Sequence, residues 1–223
     1  MSVRSPVSIR AQKCEEGQVN AALAAAPRRY ALSFTAGALL VREAALLAPV
    51  YVERRDWKQV RDQAVERNLL QARTRRTGIR LVHETVKRLS ALADDEVELL
   101  LEATASERAY LMWAAACRRY ELIGEFAEEV LRERFLLRAS TLGHENFDSF
   151  VRAKALWYEE LAQIKDSTMQ KLRSNVFKMM QEAELLSAAG HITPAVLSER
   201  VAAVLIARTP SDLRFFPAQQ IEG

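Results

Sequence analysis

Asn68-Leu-Leu-Gln-Ala-Arg-Thr-Arg-Arg-Thr-Gly-Ile-Arg-Leu-Val-His-Glu-Thr-Val-Lys-Arg-Leu89 is the stretch on which the reading of the fold turns. In its second half Ile79, Val82, Val86 and Leu89 recur at spacings of three and four, the period of one buried helix face. In its first half four arginines fall within eight positions, Arg73 to Arg80. The partial positive charge at a helix start favours acidic side chains there, so local helix stability does not explain this cluster. Two explanations stand side by side. Guanidinium forks match phosphate oxygens two at a time and would grip a polyanion; alternatively, this is a solvated loop that happens to be basic. Arg73, Arg76, Arg80 and Lys87 share a second face if the helix starts as early as Arg73, and Gly78 leaves that start open.

The same helical period extends outward in both directions. Towards the amino terminus, Leu39, Leu40, Ala44 and Leu47 predict a helix from Ala36 that stops at Pro49. Asp56, with Gln59 three residues on, predicts the cap of another helix, whose buried stripe is Trp57, Val60 and Ala64. Lys58 and Arg61 lie on that second helix and extend the basic segment. Towards the carboxyl terminus, Asp94 and Asp95 open an acidic helix through Leu101. Thr104-Ala-Ser-Glu107 reads as a capping box for a long helical run to about Leu137, with a break or close contact at Gly124. Asn146 is expected to cap a helix carrying Phe147, Phe150, Val151, Trp157 and Leu161 in the core.

Ser167-Thr-Met-Gln170 predicts a further capping box, followed by Leu172, Val176, Met179, Met180 and Ala183 on one apolar face. Lys171, Ser174, Asn175 and Lys178 occupy the other face, with chemistry suited to phosphates and base edges. Leu185-Leu186 and Gly190-His-Ile-Thr-Pro194 predict a short extended turn before a helix starting at Thr193 and Pro194. Helix, extended turn and helix suggest a small winged-helix-like carboxyl-terminal module; an ordinary surface helix is the alternative. Seven glycines and six prolines in 223 residues suit helices and disfavour a hairpin-rich sandwich. The expectation is an all-α, compact multi-helix bundle. Its parts are a flexible basic leader (1–29), a helical core domain (30–165), a carboxyl-terminal helical module packed on that core (166–217) and a tail (218–223).

Charge is unevenly distributed. Residues 53–88 carry eleven Lys/Arg against five Asp/Glu, a net of +6, and residues 94–134 carry eleven Asp/Glu against five Lys/Arg, a net of −6. Such polarity serves nucleic acid at one end and a protein partner at the other, or the two segments neutralise each other in the fold. Cys14 and Cys117 form no disulfide framework and read as reduced thiols of a cytoplasmic protein. No secretory signal fits the start, and Arg42-Glu43 interrupts the longest apolar stretch, so a soluble chain is expected. His83, His144 and His191 lie far apart without metal-ligand spacing, and no phosphate-cradling glycine loop is present. Neither cofactor nor metal is expected, and an enzyme is the weaker reading.

The ordered set Tyr30-Ala-Leu-Ser-Phe-Thr-Ala-Gly-Ala-Leu-Leu40, Glu43, Asp56-Trp57, Asn68 to Thr74 and Arg88-Leu-Ser-Ala-Leu92 resembles the BrxA family of bacterial BREX phage-defence systems. Phe147 to Lys154, Thr168 to Arg173 and Glu182 to Leu186 add to the resemblance, which spans about Tyr30 to Pro217. It implies a small all-α protein, similar in part to the RNA-binding antitermination factor NusB, that binds DNA and supports BREX immunity. No catalytic residue comes with it, and no base-contacting residue. The expected partners are double-stranded DNA and other BREX subunits, with RNA a weaker candidate that rests on fold alone. From charge alone, the nucleic-acid-binding candidates are Lys58, Arg61, Arg73, Arg75, Arg76, Arg80, Lys87, Lys171, Ser174, Asn175 and Lys178. A protein-interaction adaptor that docks through the acidic faces at Asp94 to Glu102 and Glu125 to Glu133 is the alternative function.

Overall fold

Ala109 to Cys117 is the one run among the described residues where nine consecutive side chains are all buried, Trp113 among them. A helix apolar on every side belongs at the centre of a bundle, and four alanines in this one let its neighbours approach closely. In the computed structural model, which describes residues 29–34 and 38–219, the other helices gather round it. The elements are α1 (Val41–Arg54), α2 (Trp57–Glu66), α3 (Arg75–Leu89), α4 (Asp94–Glu102) and the central α5 (Ala105–Arg119). Then come α6 (Glu121–Phe126), a wider π-helical turn (Ala127–Arg132) and α7 (Glu133–Leu136), followed by α8 (His144–Lys154), α9 (Glu159–Ala162), α10 (Asp166–Glu182), α11 (Glu199–Ile206) and a 3-10 turn (Asp212–Phe215). The central helix packs against α1, α3, α4, α6, α10, α11 and the 3-10 turn. The molecule is an all-helical, compact multi-helix bundle. The expected leader and Cys14 lie outside the described residues.

Local caps form where both partners are close in sequence. Asp56 Oδ1 accepts from Lys58 N at 2.7 Å and its Oδ2 from Gln59 Nε2 at 3.1 Å. The Thr104–Glu107 box is reciprocal, with Glu107 N to Thr104 Oγ1 at 3.3 Å and Thr104 N to Glu107 Oε2 at 2.7 Å. Gly124 marks a close contact and not a break, since it lies inside α6: a Cβ there would lie 2.8 Å from the Cys117 carbonyl oxygen and 3.2 Å from the Phe215 ring. The chain turns at Tyr120, between α5 and α6.

Several expectations are corrected. Pro49 does not end the first helix but lies inside it, and α1 runs to Arg54. Proline forfeits one internal hydrogen bond, but the turn beyond it still buries Tyr51, on which the half-buried Trp57 stacks at 3.7 Å. Asn146 sits within α8 and reaches back to accept from Gly143 N at 2.8 Å, so the helix starts at His144. Trp157 is 83% exposed and Leu156 80% exposed, because α8 ends at Lys154 and the helical period does not carry to 157. No capping box forms at Ser167, since α10 already begins at Asp166. The last long helix starts at Glu199 rather than Thr193; Ala195 N instead donates to Pro217 O at 2.9 Å.

The extended turn after α10 is present as two isolated antiparallel bridges, Leu186 with Ile192 and Thr141 with His191. Ser187 N donates to His191 O at 2.8 Å, Ile192 N to Ser140 O at 2.9 Å and Leu142 N to Gly190 O at 2.8 Å. Three short extended pieces therefore lie side by side next to α8 and α10. Residues 29–34 and 38–40 form a strap across the bundle. Tyr30 packs against Tyr158 with tilted rings 4.5 Å apart and donates its hydroxyl to Glu125 at 2.6 Å. Phe34 O accepts from Asn175 Nδ2 at 3.0 Å, and Leu39 N donates to Glu182 Oε2 at 2.5 Å.

Candidate nucleic-acid interface

Position of the arginine cluster is set by the loop before α3. Asn68 and Gln71 adopt left-handed backbone, and the Asn68 amide clasps Ala72 twice: Oδ1 accepts from its N–H at 2.9 Å and Nδ2 donates to its carbonyl at 3.2 Å. The clasped loop lies over the first turn of α3, where a Cβ on Gly78 would come 3.2 Å from Ala72 Cβ. Thr74 caps the helix by accepting from Thr77 N at 3.2 Å. Arg73 thus stands just before the helix, and Arg75 and Arg76 occupy its first two positions.

From there Arg76, Arg80, His83 and Lys87 run along one exposed face at spacings of four, three and four, while Gly78, Val82, Thr85, Val86 and Leu89 are buried behind them. Arg61 of α2 and Arg75 of α3 face the groove between these helices, about 650 Å³ in volume and lined also by Asp62, Val65, Glu66, Ile79 and His83. Lys58, Arg73, Arg75, Arg76, Arg80 and Lys87 are exposed and Arg61 half-buried. None of the seven makes a side-chain hydrogen bond or ion pair among the described residues. The one carboxylate of α3, Glu84, is buried. The exposed face of α3 is therefore cationic and carries no carboxylate of its own.

Arg88, at the end of the basic segment, is different. It is fully buried, with Nε 3.1 Å from Glu84 Oε1 and Nη1 donating to the carbonyls of Ala38 at 2.7 Å and Leu39 at 3.2 Å. Tyr120 donates to the same Glu84 oxygen at 2.6 Å; burial, then this bond, pushes the phenol well above its ordinary range. Arg88 belongs to the core and takes no part in an exposed grip.

The carboxyl-terminal candidates divide. Lys171, Ser174 and Lys178 are exposed on α10, with Lys178 Nζ 3.7 Å from Glu182. Asn175 is half-buried and its amide is held by Phe34 O, so it does not join that exposed face.

The acidic segment is neutralised largely by cations other than the α3 ridge. Asp94 accepts from Tyr51 at 2.7 Å and lies 3.5 Å from Arg55, which also pairs with Glu98. Lys154 bridges Glu125 at 2.5 Å and Glu129 at 2.7 Å, and Arg214 meets Glu128 at 3.2 Å. Arg118 binds Glu96 and Asp212, each at 2.5 Å, and Arg208 adds a 2.9 Å contact to Glu96. Burial raises the Glu96 pKa, but Arg118 and the Ala93 N–H outweigh it and hold the carboxyl below its ordinary range. These ion pairs were missed from sequence. Arg118 beside the apolar Trp113–Cys117 run was the available signal, since a charge on a buried helix needs a partner.

Among the described residues no group of three or more His, Cys, Asp or Glu is placed to hold a metal ion, and no helix is long and apolar enough to cross a membrane. Burial raises the Cys117 thiol well above its ordinary range, which leaves it a poor nucleophile.

The model of the BrxA family matches residues 28–209, an interval that takes in the clasped loop, the α3 ridge and the face of α10. The chain belongs to the BrxA family. A curated relative, BREX protein BrxA of Escherichia coli O9:H4 (strain HS), is 26% identical to this BrxA-family chain over 147 residues, 66% of this chain and 69% of the relative. The crystal structure of an uncharacterized protein from Magnetospirillum magneticum superimposes with a TM-score of 0.74 at 19% identity, covering 85% of this chain and 98% of that one. At that identity the likeness shows that this BrxA-family bundle shares a fold with it.

Proposed function

We propose that this BrxA-family protein is a non-enzymatic, cytoplasmic, DNA-binding component of a BREX-type anti-phage system that grips the phosphate backbone through the α3 ridge. One observation carries the reading: Arg73, Arg75, Arg76, Arg80 and Lys87 are exposed and unpaired on one side of the molecule. Arginines at a helix start cost about 0.3–1 kcal/mol each against the helix dipole, and none of these is ion-paired among the described residues. Duplex phosphates would supply that pairing. Contacts of this kind supply affinity with little sequence preference. Family membership supports the defence setting, and other BREX subunits are the natural protein partners.

The adaptor reading loses its first argument because most of the acidic side chains it needs are engaged inside the molecule. Binding of a short duplex, followed by fluorescence anisotropy across a salt series, tests the DNA reading. Wild type should bind with an affinity that falls steeply with salt. Arg73→Ala/Arg75→Ala/Arg76→Ala should bind more weakly, with a log–log slope shallower by about 2–3. An unchanged affinity and slope in the folded triple variant would remove the ridge from the interface. Competition with structured RNA of equal length separates a duplex-DNA site from an RNA site.

A further inference from the structure

Where the strap enters the bundle it borders a cavity of about 560 Å³, a volume within the ordinary range of small-molecule sites. Its walls come from three distant parts of the chain. They are Arg29 and Ala31 of the strap, Arg119 and Glu121 at the junction of α5 and α6, and Arg214 and Phe215 of the 3-10 turn. Two sets of contacts bring these parts together. Phe215 closes on Gly124 of α6 and accepts from Trp113 of α5 through its carbonyl, and Tyr30 is bonded to Glu125 of α6.

The charged groups round the cavity divide into committed and uncommitted ones. Arg118 is held by Glu96 and Asp212, Glu125 by Tyr30 and Lys154, and Arg214 by Glu128 at 3.2 Å and the Pro210 carbonyl at 3.0 Å. Arg29 and Arg119 are both exposed, and among the described residues neither makes a hydrogen bond or an ion pair. Arg119 sets its guanidinium over the Tyr120 ring, 5.6 Å from the centroid, which leaves its fork of donors open. Two open guanidiniums on one cavity call for an anion, and phosphate matches their geometry. The rest of the lining selects the body of that anion. The Arg214 guanidinium lies over the buried Phe215 ring, 4.4 Å from its centroid, and a guanidinium is itself a plane on which an aromatic ring stacks. Glu121 and Glu128 border the same cavity with carboxylate oxygens, which accept from hydroxyl and amino groups.

We infer that this cavity binds a nucleoside monophosphate, with the phosphate between Arg29 and Arg119, the base on Arg214, and the sugar or base donors on Glu121 and Glu128. None of these groups belongs to the α3 ridge, so the site stands apart from the DNA-binding reading. A strand of nucleic acid is the wrong occupant. Glu121, Glu125 and Glu128 recur along the lining at spacings of four and three and repel a run of phosphates, whereas one phosphate between two guanidiniums is compensated where it sits. Because Arg29 belongs to the strap and Arg119 to the central helix, a bound phosphate also ties the strap to the core of the bundle.

The test is calorimetric titration of the full chain with AMP, CMP, adenosine and inorganic phosphate, with thermal melting in parallel. Wild type, Arg29→Ala/Arg119→Ala and the triple arginine variant of the α3 ridge are compared, each checked for folding by circular dichroism. Arg29 and Arg119 form no hydrogen bond or ion pair in the fold, so the double variant should melt like wild type when no ligand is present. AMP or CMP should bind wild type at micromolar to millimolar concentration and raise its Tm. Adenosine and phosphate, each lacking half of the contacts, should bind more weakly than the nucleotides. The double variant should lose about tenfold or more in nucleotide affinity, and the ridge variant should keep it. No heat and no rise in Tm with millimolar nucleotide overturns the site. So does an unchanged affinity in the folded double variant, or a loss confined to the ridge variant, which places the nucleotide on α3. Phosphate that binds as tightly as AMP overturns the nucleoside part of the assignment, and adenosine that does so overturns the role of the two arginines.

Discussion

Gly124 shows how much one missing methyl group can hold in place. The Cys117 carbonyl and the Phe215 ring close on the space a Cβ would fill, and Phe215 in turn accepts from Trp113 Nε1 through its own carbonyl at 2.9 Å. Gly124→Ala should therefore push the 3-10 turn away from the central helix and destabilise the protein by about 1–3 kcal/mol, measurable by urea denaturation. A stability equal to wild type would mean that the contact is slack. The glycine stood out in sequence as a break or a close contact within a helical run, and only the close contact is present. Trp157 was not: its type and neighbours argued for the core, and only the end of α8 at Lys154 turns it outward. The burial of Arg88 was illegible for the converse reason. In sequence it is one more cation at the end of a basic run, and its partners Ala38 and Leu39 lie 50 and 49 residues away.

At the scale of elements, α11 depends on a single carboxylate. Glu107 caps α5, accepts from Ser198 Oγ at 2.6 Å and Arg200 Nε at 2.8 Å, and so joins the start of α11 to the central helix. The Arg200 bond, then Ser198 and the Thr104 amide, hold its carboxyl far below the ordinary value of 4.5. A carboxyl whose folded pKa lies below its unfolded one contributes stability that is complete above the unfolded value and is lost as pH falls towards the folded one. Glu96 acts in the same direction. Melting temperature should hold near neutrality and fall progressively below about pH 4.5, and Glu107→Gln should lower it at pH 7 while flattening the acid branch. A variant that melts like wild type at both ends would separate Glu107 from the stability of α11. Stripes and caps made by neighbours, such as Val82–Val86–Leu89 or Asp56–Gln59, could be read directly. The docking of α11 could not, because Ser198 and Arg200 are more than ninety residues from Glu107.

For the molecule as a whole, two groups of arginines stand in contrast. Arg88, Arg118, Arg200 and Arg214 are matched to carboxylates within the fold, whereas the α3 ridge has no such match among the described residues. Net charge alone, +3, hides this division, and the segment counts found only half of it. They located the cationic stretch but could not tell that the acidic stretch was already neutralised by other parts of the chain. The strap adds a constraint of another kind. Its residues 34, 38 and 39 are hydrogen-bonded to α10 on one side and to Arg88 of α3 on the other, so α3 and α10 share one piece of backbone. Shortening the chain up to residue 28 leaves every one of those bonds in place. Removing it through residue 40 would strip a buried guanidinium of two carbonyl acceptors, and such a truncation should be recovered as aggregate rather than as soluble monomer. The strap is a lashing: cut it, and both cargoes come loose at once.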